Sequence, residues 1–391
     1  MKKILAMLLA LIMVLGLVAC GGNAPETTAP AETNAPAEST PAETTPAVSD
    51  VEYKIAMITD YGDITDQSFN QTTYEACKAF AEANNVPFTY YRPVGDSTAE
   101  RVAMVDAAVV DGYNVVVMPG FAFGETLVEV ADMYPDVKFV ALDVAEGEGG
   151  FTATENVFSA VYQEELSGYM AGYAAVKLGY KHLGYLGGMA VPAVQRFGYG
   201  YLQGVDAAAK ELGIVGDVKV EYVYGNQFYG DADITAVMDT WYGEKGVECV
   251  FACGGGIWTS AAEAAAKVGG KVIGVDVDQA ATIDGMFGAG MTVTSAMKGL
   301  APTVKDVLAA IVGGNWADYA GKIETLGLVS ADPEANYVQL PMATTQFGEG
   351  FTAEDYSALV AAMFEGTVTV SNDIAEFPVT EVVVEQYPNI K

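Results

Sequence analysis

Between residues 54 and 142 short apolar runs alternate with stretches of helical spacing, and the same alternation then begins again. Residues 54–59, 88–92, 114–118 and 138–142 read as strands. Between them lie 71–84, 99–111 and 124–134, where apolar residues recur every three or four positions; Tyr74, Cys77, Phe80 and Ala81 share one such face. Strands separated by whole helices cannot pair as hairpins, so the pattern predicts a parallel sheet with helices on both faces. The second series sets helices 164–178, 193–212, 234–245 and 259–268 against strands 182–187, 219–223, 248–253 and 271–275. Further strands at 291–295 and 323–328 flank a helix at 302–311, and 367–370 and 381–385 are β-like. The expected fold is therefore α/β, with two lobes that each hold a mostly parallel sheet flanked by helices. In open sheets of this kind ligands sit beyond the carboxyl ends of the strands, so the residues just after each strand are the ones to inspect.

The first fifty residues belong to neither lobe. Lys2 and Lys3 lead into an apolar run from Ile4 to Val18, followed by Cys20, Gly21 and Gly22. A cationic start, an apolar core and small residues at the cleavage point make an export signal. The run is shorter than the roughly 20 apolar residues of a spanning helix. The placement of the cysteine resembles a bacterial lipoprotein signal, which makes 1–19 the signal peptide and Cys20 the lipid-attachment residue. The other reading is an ordinary signal peptide with an incidental cysteine. Residues 21–50 are almost entirely Ala, Pro, Thr, Glu, Ser and Asn, with Pro-Ala-Glu-Thr repeated. Such a stretch buries nothing and stays extended, so 20–50 reads as a disordered tether holding the body off a membrane.

The formal net charge is −32, and loss of Lys2 and Lys3 with the signal lowers it by two, to −34. A body this acidic repels nucleic acid and anionic lipid, so no nucleic-acid partner is expected. Cys249 and Cys253 lie on one apolar run, about 13 Å apart along a strand, too far for a disulfide. Cys77, Cys249 and Cys253 read as buried thiols. The single histidine, His182, excludes a multi-histidine metal site, and no metal or cofactor is expected.

After the first strand, Asp60, Asp63 and Asp66 fall within seven residues. Their spacing is not that of a calcium loop. Asp66 or Ser68 is expected to cap the following helix. Phe69 is an aromatic in a polar loop, either a hydrophobic staple or a stacking platform facing a cleft. Gly254-Gly255-Gly256 follows a buried strand but lacks the remainder of a phosphate-binding loop, and reads as a tight turn bringing backbone N–H groups toward a ligand hydroxyl.

The run Asp60–Gln71 resembles the opening motif of the basic membrane protein family, lipoproteins that include the purine-nucleoside receptor of ABC importers. Three further segments agree in order: Gln163–Gly172, Gly187–Pro192 with Arg196-Phe197 and Gly200-Tyr201, and Ile273–Gln279. The resemblance implies a type I periplasmic-binding-protein fold, its two lobes joined by hinge crossovers, with lobe I at 51–155 plus about 279–328, lobe II at 156–278 plus about 329–391, and a nucleoside held between them. On the matching positions, Phe69 and Phe228 would stack on the two faces of the base, with Asp60 and Asn70 near the base or ribose and Asp143 as a cleft acid. Asp276 and Lys298 would hold ribose hydroxyls, and Gly255 would lie against the ligand. Read singly, Asp276 is a turn residue and Lys298 a surface charge. The chain departs from the family at Met118–Phe123, where Pro119 offers no N–H and Phe121 or Phe123 could reshape the pocket.

The expected function is thus a lipid-anchored, monomeric receptor on the outer face of the cell membrane. It would capture a nucleoside, most simply a purine, and deliver it to an ABC permease. A sugar or signalling-solute receptor is the alternative on the same fold. A nucleoside hydrolase is disfavoured, because no base or second acid completes the Asp60, Asp63 and Asp66 group, and the chain is read as not an enzyme. A purely structural surface protein would leave cleft aromatics without a purpose.

Overall fold

The computed structural model describes residues 51–60 and 62–391. The signal peptide, Cys20 and the tether of 20–50 lie outside the described residues. In chain order the elements are β1 (Ile55–Ile58), α1 (Phe69–Asn84), β2 (Phe88–Tyr91), α2 (Thr98–Val110), β3 (Val115–Pro119), α3 (Phe123–Val130), β4 (Lys138–Leu142), β5 (Val157–Tyr162), α4 (Glu164–Lys177), β6 (His182–Gly187), α5 (Pro192–Leu212) and β7 (Lys219–Tyr224). There follow α6 (Ala232–Asp239), β8 (Cys249–Cys253), α7 (Trp258–Val268), β9 (Lys271–Asp276), α8 (Ala280–Phe287), β10 (Thr292–Lys298), α9 (Leu300–Val312), β11 (Lys322–Leu326), β12 (Val338–Gln339), α10 (Ala353–Phe364) and β13 (Val383–Gln386).

The strands form two sheets, ordered β11-β5-β4-β3-β1-β2 and β12-β10-β9-β8-β6-β7-β13. Every pairing is parallel except β10 with β12. Central strands are apolar on both sides because helices cover both faces. β3 shows it residue by residue: Val115 and Val117 enter one core, Val116 and Met118 the other. The second sheet is likewise sandwiched between two cores.

In the first sheet the chain moves from β1 outward to β2 and then to β3 on the opposite side. In the second it moves from β6 to β7 and then to β8. Each order reverses once, which opens a crevice at the strand ends where ligands are commonly held.

Two strands sit elsewhere than the sequence division placed them. β5 begins after residue 155 yet joins the first sheet, pairing with β4 and β11. β10, assigned with 279–328 to lobe I, pairs with β9 in the second sheet. The short α8 connection returns β10 beside β9 before the chain crosses, and only then does α9 join the core of the first sheet. The crossings occur at Gln163, at Gly299 and between 327 and 337, and they are bonded to one another. Gln163 N–H donates to the Leu326 carbonyl at 3.0 Å, Gly299 N–H to Tyr337 at 2.7 Å, and Tyr337 N–H to Gly327 at 3.0 Å.

Other differences are local. The expected helix 234–245 is α6 followed by a π-turn at Thr240–Lys245. Residues 367–370 form no strand. β5, α8, β12 and α10 were absent from the sequence reading; α10 begins with a capping box between Thr352 and Asp355. α4 and α5 approach unusually closely: a Cβ at Gly168 would lie 2.1 Å from the Phe197 carbonyl oxygen, and one at Gly200 would lie 2.0 Å from that of Glu165. This contact brings Arg196 to Glu164, which in turn lies 3.4 Å from Lys298.

Candidate functional site

A cavity of about 760 Å³ opens at the carboxyl ends of both sheets. The loops after β1, β3 and β4 line it from the first sheet, and those after β6, β7 and β8 from the second, with the ends of β9 and β10. All eight expected ligand residues, Asp60, Phe69, Asn70, Asp143, Phe228, Gly255, Asp276 and Lys298, border it. So does Phe121, whereas Phe123 is fully buried in the core beside β3.

The loop after β1 is shaped by its own carboxylates. Asp60 Oδ1 accepts from Gly62 N–H at 2.7 Å. Asp66 caps α1, accepting from the N–H groups of Ser68, Asn70 and Gln71 at 2.8, 2.9 and 3.1 Å. Burial raises its carboxyl, with these amides pulling the other way. Ser68 makes no side-chain cap. Its hydroxyl instead donates to Asp276 Oδ2 at 2.6 Å. Gln279 Nε2 donates to the Gln67 carbonyl at 3.0 Å, a second bond from the second sheet to this loop.

Lys298 forms the floor. The surface reading of this residue is wrong: only 2% of its side chain is exposed. Its ammonium donates to Asp143 and lies 3.4 Å from Glu164 Oε1 and 3.9 Å from Asp276 Oδ1. It also sits 4.7 Å from the centroid of the Phe69 ring, 5.4 Å from that of Tyr162 and 5.8 Å from that of Phe197. Burial opposes its charge, but Asp143, Glu164 and Asp276 outweigh burial and hold it protonated. Arg196 Nε donates to Glu164 Oε2 at 2.6 Å. Two cations thus face three carboxylates. Burial, partly offset by Lys298, pushes Asp143 up to about 6 and raises Asp276 as well. Asp143 and Asp276 both have left-handed backbones, φ 62° and 66°, a conformation aspartate tolerates better than most residues.

Two acceptors here have no partner among the described residues. Asn70 Oδ1 and Asp143 Oδ1 are buried and unbonded. A buried acceptor left so costs about 1–3 kcal/mol. A ligand offering N–H or O–H groups would remove that cost.

Phe228 is held from the second sheet. Gly256 N–H donates to its carbonyl at 2.8 Å, and a Cβ at Gly188 or Gly254 would lie 2.4 or 2.8 Å from its ring. The glycine run was expected to present N–H groups to a ligand. Its structure makes room for the Phe228 ring, with Gly254 and Gly255 at φ 139° and 51°, and the run borders the cavity. Glu164 and Ser68, which contact Lys298 and Asp276, and Arg196, which holds Glu164, support the site from behind the cavity lining, and the sequence does not single them out. All three stand within the segments that carry the family resemblance, but nothing local shows that they meet Lys298, Asp276 or one another. Trp258 also lines the cavity, its Nε1 3.5 Å from the Asp66 carbonyl. Cys77, Cys249 and Cys253 are buried free thiols. Among the described residues no helix is long and apolar enough to cross a membrane.

An ABC transporter nucleoside-binding protein, BmpA, of Lactococcus lactis is 29% identical over 241 residues, covering 58% of this chain and 65% of that protein. Basic membrane protein B of Borreliella burgdorferi is 26% identical over 298 residues, covering 74% of this chain and 83% of that one. An ABC transporter solute-binding protein from Aeropyrum pernix superposes with a TM-score of 0.63 at 24% identity, over 82% of this chain and 88% of that chain. A second, from Conexibacter woesei, gives 0.61 at 22% identity, over 82% and 99%. These structures share the type I periplasmic-binding-like fold. Residues 53–331 match the Bmp model, described as ABC transporter substrate-binding protein PnrA-like, and the chain belongs to that family.

Proposed function

We propose that this protein captures a neutral nucleoside in the cavity between its sheets and presents it to an ABC permease, anchored to the membrane by lipid on Cys20. The observation that carries this reading is the placement of Phe69, at the start of α1 beside the first sheet, and Phe228, on the loop after β7 of the second, beside one cavity, with Asp143, Asp276 and Lys298 at its floor. Two aromatic rings suit a flat heterocycle, and stacking contributes about 1–3 kcal/mol per base whatever the base. Asp276 accepts from ribose hydroxyls and Lys298 donates to them. The unbonded oxygens of Asn70 and Asp143 take N–H or O–H groups of the ligand. An excess of carboxylates over cations disfavours a phosphate, so nucleosides are preferred to nucleotides. Binding favours closure of the two halves about the three crossings, because the ligand touches both only when they are closed.

The test is a thermal-shift and calorimetric panel of inosine, adenosine, guanosine, uridine, adenine, D-ribose and AMP on the chain from Val51 onward. Stabilisation by nucleosides, recovered intact, and none by AMP supports the reading, since a ligand of the native state raises its midpoint. Stabilisation by sugars alone would replace it with the sugar receptor, and release of free base would make the protein a hydrolase. Phe228→Ala should weaken all four nucleosides by a similar factor of about ten.

A further inference from the structure

The Phe228 loop is gripped from an unexpected side. After α10 the chain returns to the second sheet and runs along the edge of β7. Glu381 and Val382 donate their N–H groups to Asp206 Oδ1 at 2.7 and 2.9 Å. β13 then pairs with β7, and the N–H groups of Tyr387 and Ile390 donate to the Tyr222 and Tyr224 carbonyls at 2.9 and 3.0 Å. Midway, the fully buried side chain of Glu221 accepts from the Tyr387 hydroxyl and from Lys245 Nζ at 3.1 Å, and lies 2.8 Å from His182 Nε2. Burial alone would raise the Glu221 carboxyl, but bonds from Tyr387, His182 and Lys245 pull it down to about 2. A buried carboxylate that takes one of its hydrogen bonds from Tyr387 anchors the segment, because losing that donor leaves a buried acceptor short of a partner.

Past this anchor, Lys391 reaches the loop. Its ammonium lies 2.9 Å from Asp231 Oδ2 and pairs with Asp233. Asp231 is the N-cap of α6, and the same Oδ2 accepts from Gln227 Nε2 at 3.0 Å. At the other end of the loop, Asn226 Nδ2 donates to the Lys391 carbonyl at 3.4 Å. Lys391 therefore touches both ends of 226–231, the segment that carries Phe228 into the cavity.

We propose that residues 383–391 are a positioning strap for the Phe228 loop: β13 and Tyr387 fasten it to β7, and Lys391 sets where the ring sits and how long a bound ligand stays. The strap lies outside the residues 53–331 that match the family. Its effect on ligand release rests on the nucleoside reading, whereas its grip on the loop does not. Lys391 is a positioning residue only, since it does not line the cavity. A partly exposed ion pair contributes little to global stability, so its loss should act locally.

The experiment compares the full chain with Lys391→Glu, which sets a third carboxylate beside Asp231 and Asp233, and with Lys391→Arg. Amide hydrogen exchange at 226–230 is read without ligand, and release of inosine is read by stopped flow. In Lys391→Glu the loop amides should exchange about fivefold faster and inosine should leave about fivefold faster, with the thermal midpoint unchanged. Lys391→Arg should restore both. Unchanged loop exchange in Lys391→Glu overturns the strap, as does a defect that arginine does not rescue. If the parent chain binds no nucleoside, the ligand reading fails, and the exchange measurement still decides the strap.

Discussion

The Ser68 hydroxyl donates to Asp276 Oδ2 at 2.6 Å, across 208 positions of sequence, and joins the loop after β1 to the end of β9. Ser68 belongs to the first sheet's half of the cavity and Asp276 to the second, so this bond exists only while the halves are together. Both side chains are buried. The bond also orients Asp276, leaving Oδ1 toward Lys298.

Ser68→Ala should therefore weaken inosine binding by about tenfold, because a hydrogen bond to a charged group contributes about 1.5–3 kcal/mol and only the closed state makes it. Calorimetry checks the affinity and small-angle scattering the closure. An unchanged affinity would mean that the bond does not bias closure.

Asp276→Ala should weaken nucleosides by about tenfold or more while leaving the affinity for free adenine nearly unchanged. Adenine has no ribose hydroxyls for the carboxylate to accept. Parallel titrations with adenosine and adenine measure the difference; equal losses would remove the ribose role.

Glu165 gives a pH signature. It is buried at the first turn of α4, with Oε2 unbonded, and burial pushes its carboxyl up to about 7 from an ordinary 4.5. A carboxyl raised in the folded state binds its proton more tightly there than in the unfolded chain. Its stabilising contribution is therefore complete below pH 4.5 and is lost as pH rises through about 7. Glu165→Gln removes that loss and should gain about 3 kcal/mol relative to the parent at pH 8, with no such gain at pH 4.5. Urea unfolding at the two pH values tests it, and a pH-independent difference would show that Glu165 does not titrate in this range.

Gly200→Ala should destabilise by about 3 kcal/mol or more, since its methyl would meet the Glu165 backbone and push α5 from α4. Thermal unfolding measures this. An alanine as stable as glycine would mean that the two helices are free to separate.

Much of the architecture was legible in the chain because parallel strands covered on both faces must be continuously apolar. Val115–Met118 and Cys249–Cys253 could be little else, and the residues following such strands had to meet at a crevice. Asp60, Asp143, Asp276 and Lys298 stand at or just after the ends of such strands, but it is the family likeness that singles them out, since Asp276 read alone is a turn residue and Lys298 a surface charge. Strand membership was less legible. β5 and β10 look like any other strand, and the sheet each joins depends on which neighbour it pairs with.

The sequence by itself determined the alternation of strands and helices, the acidic charge, and the residues available at each strand end, because these follow from periodicity and composition. Only the tertiary structure decided that Lys298 is buried, that Asp143 reaches it from 155 positions away, and that Glu164 and Arg196 complete the same charged group. It also decided that Lys391 lies against the Phe228 loop. Burial and charge pairing depend on contacts between distant segments, and local pattern carries no information about which distant segment will arrive.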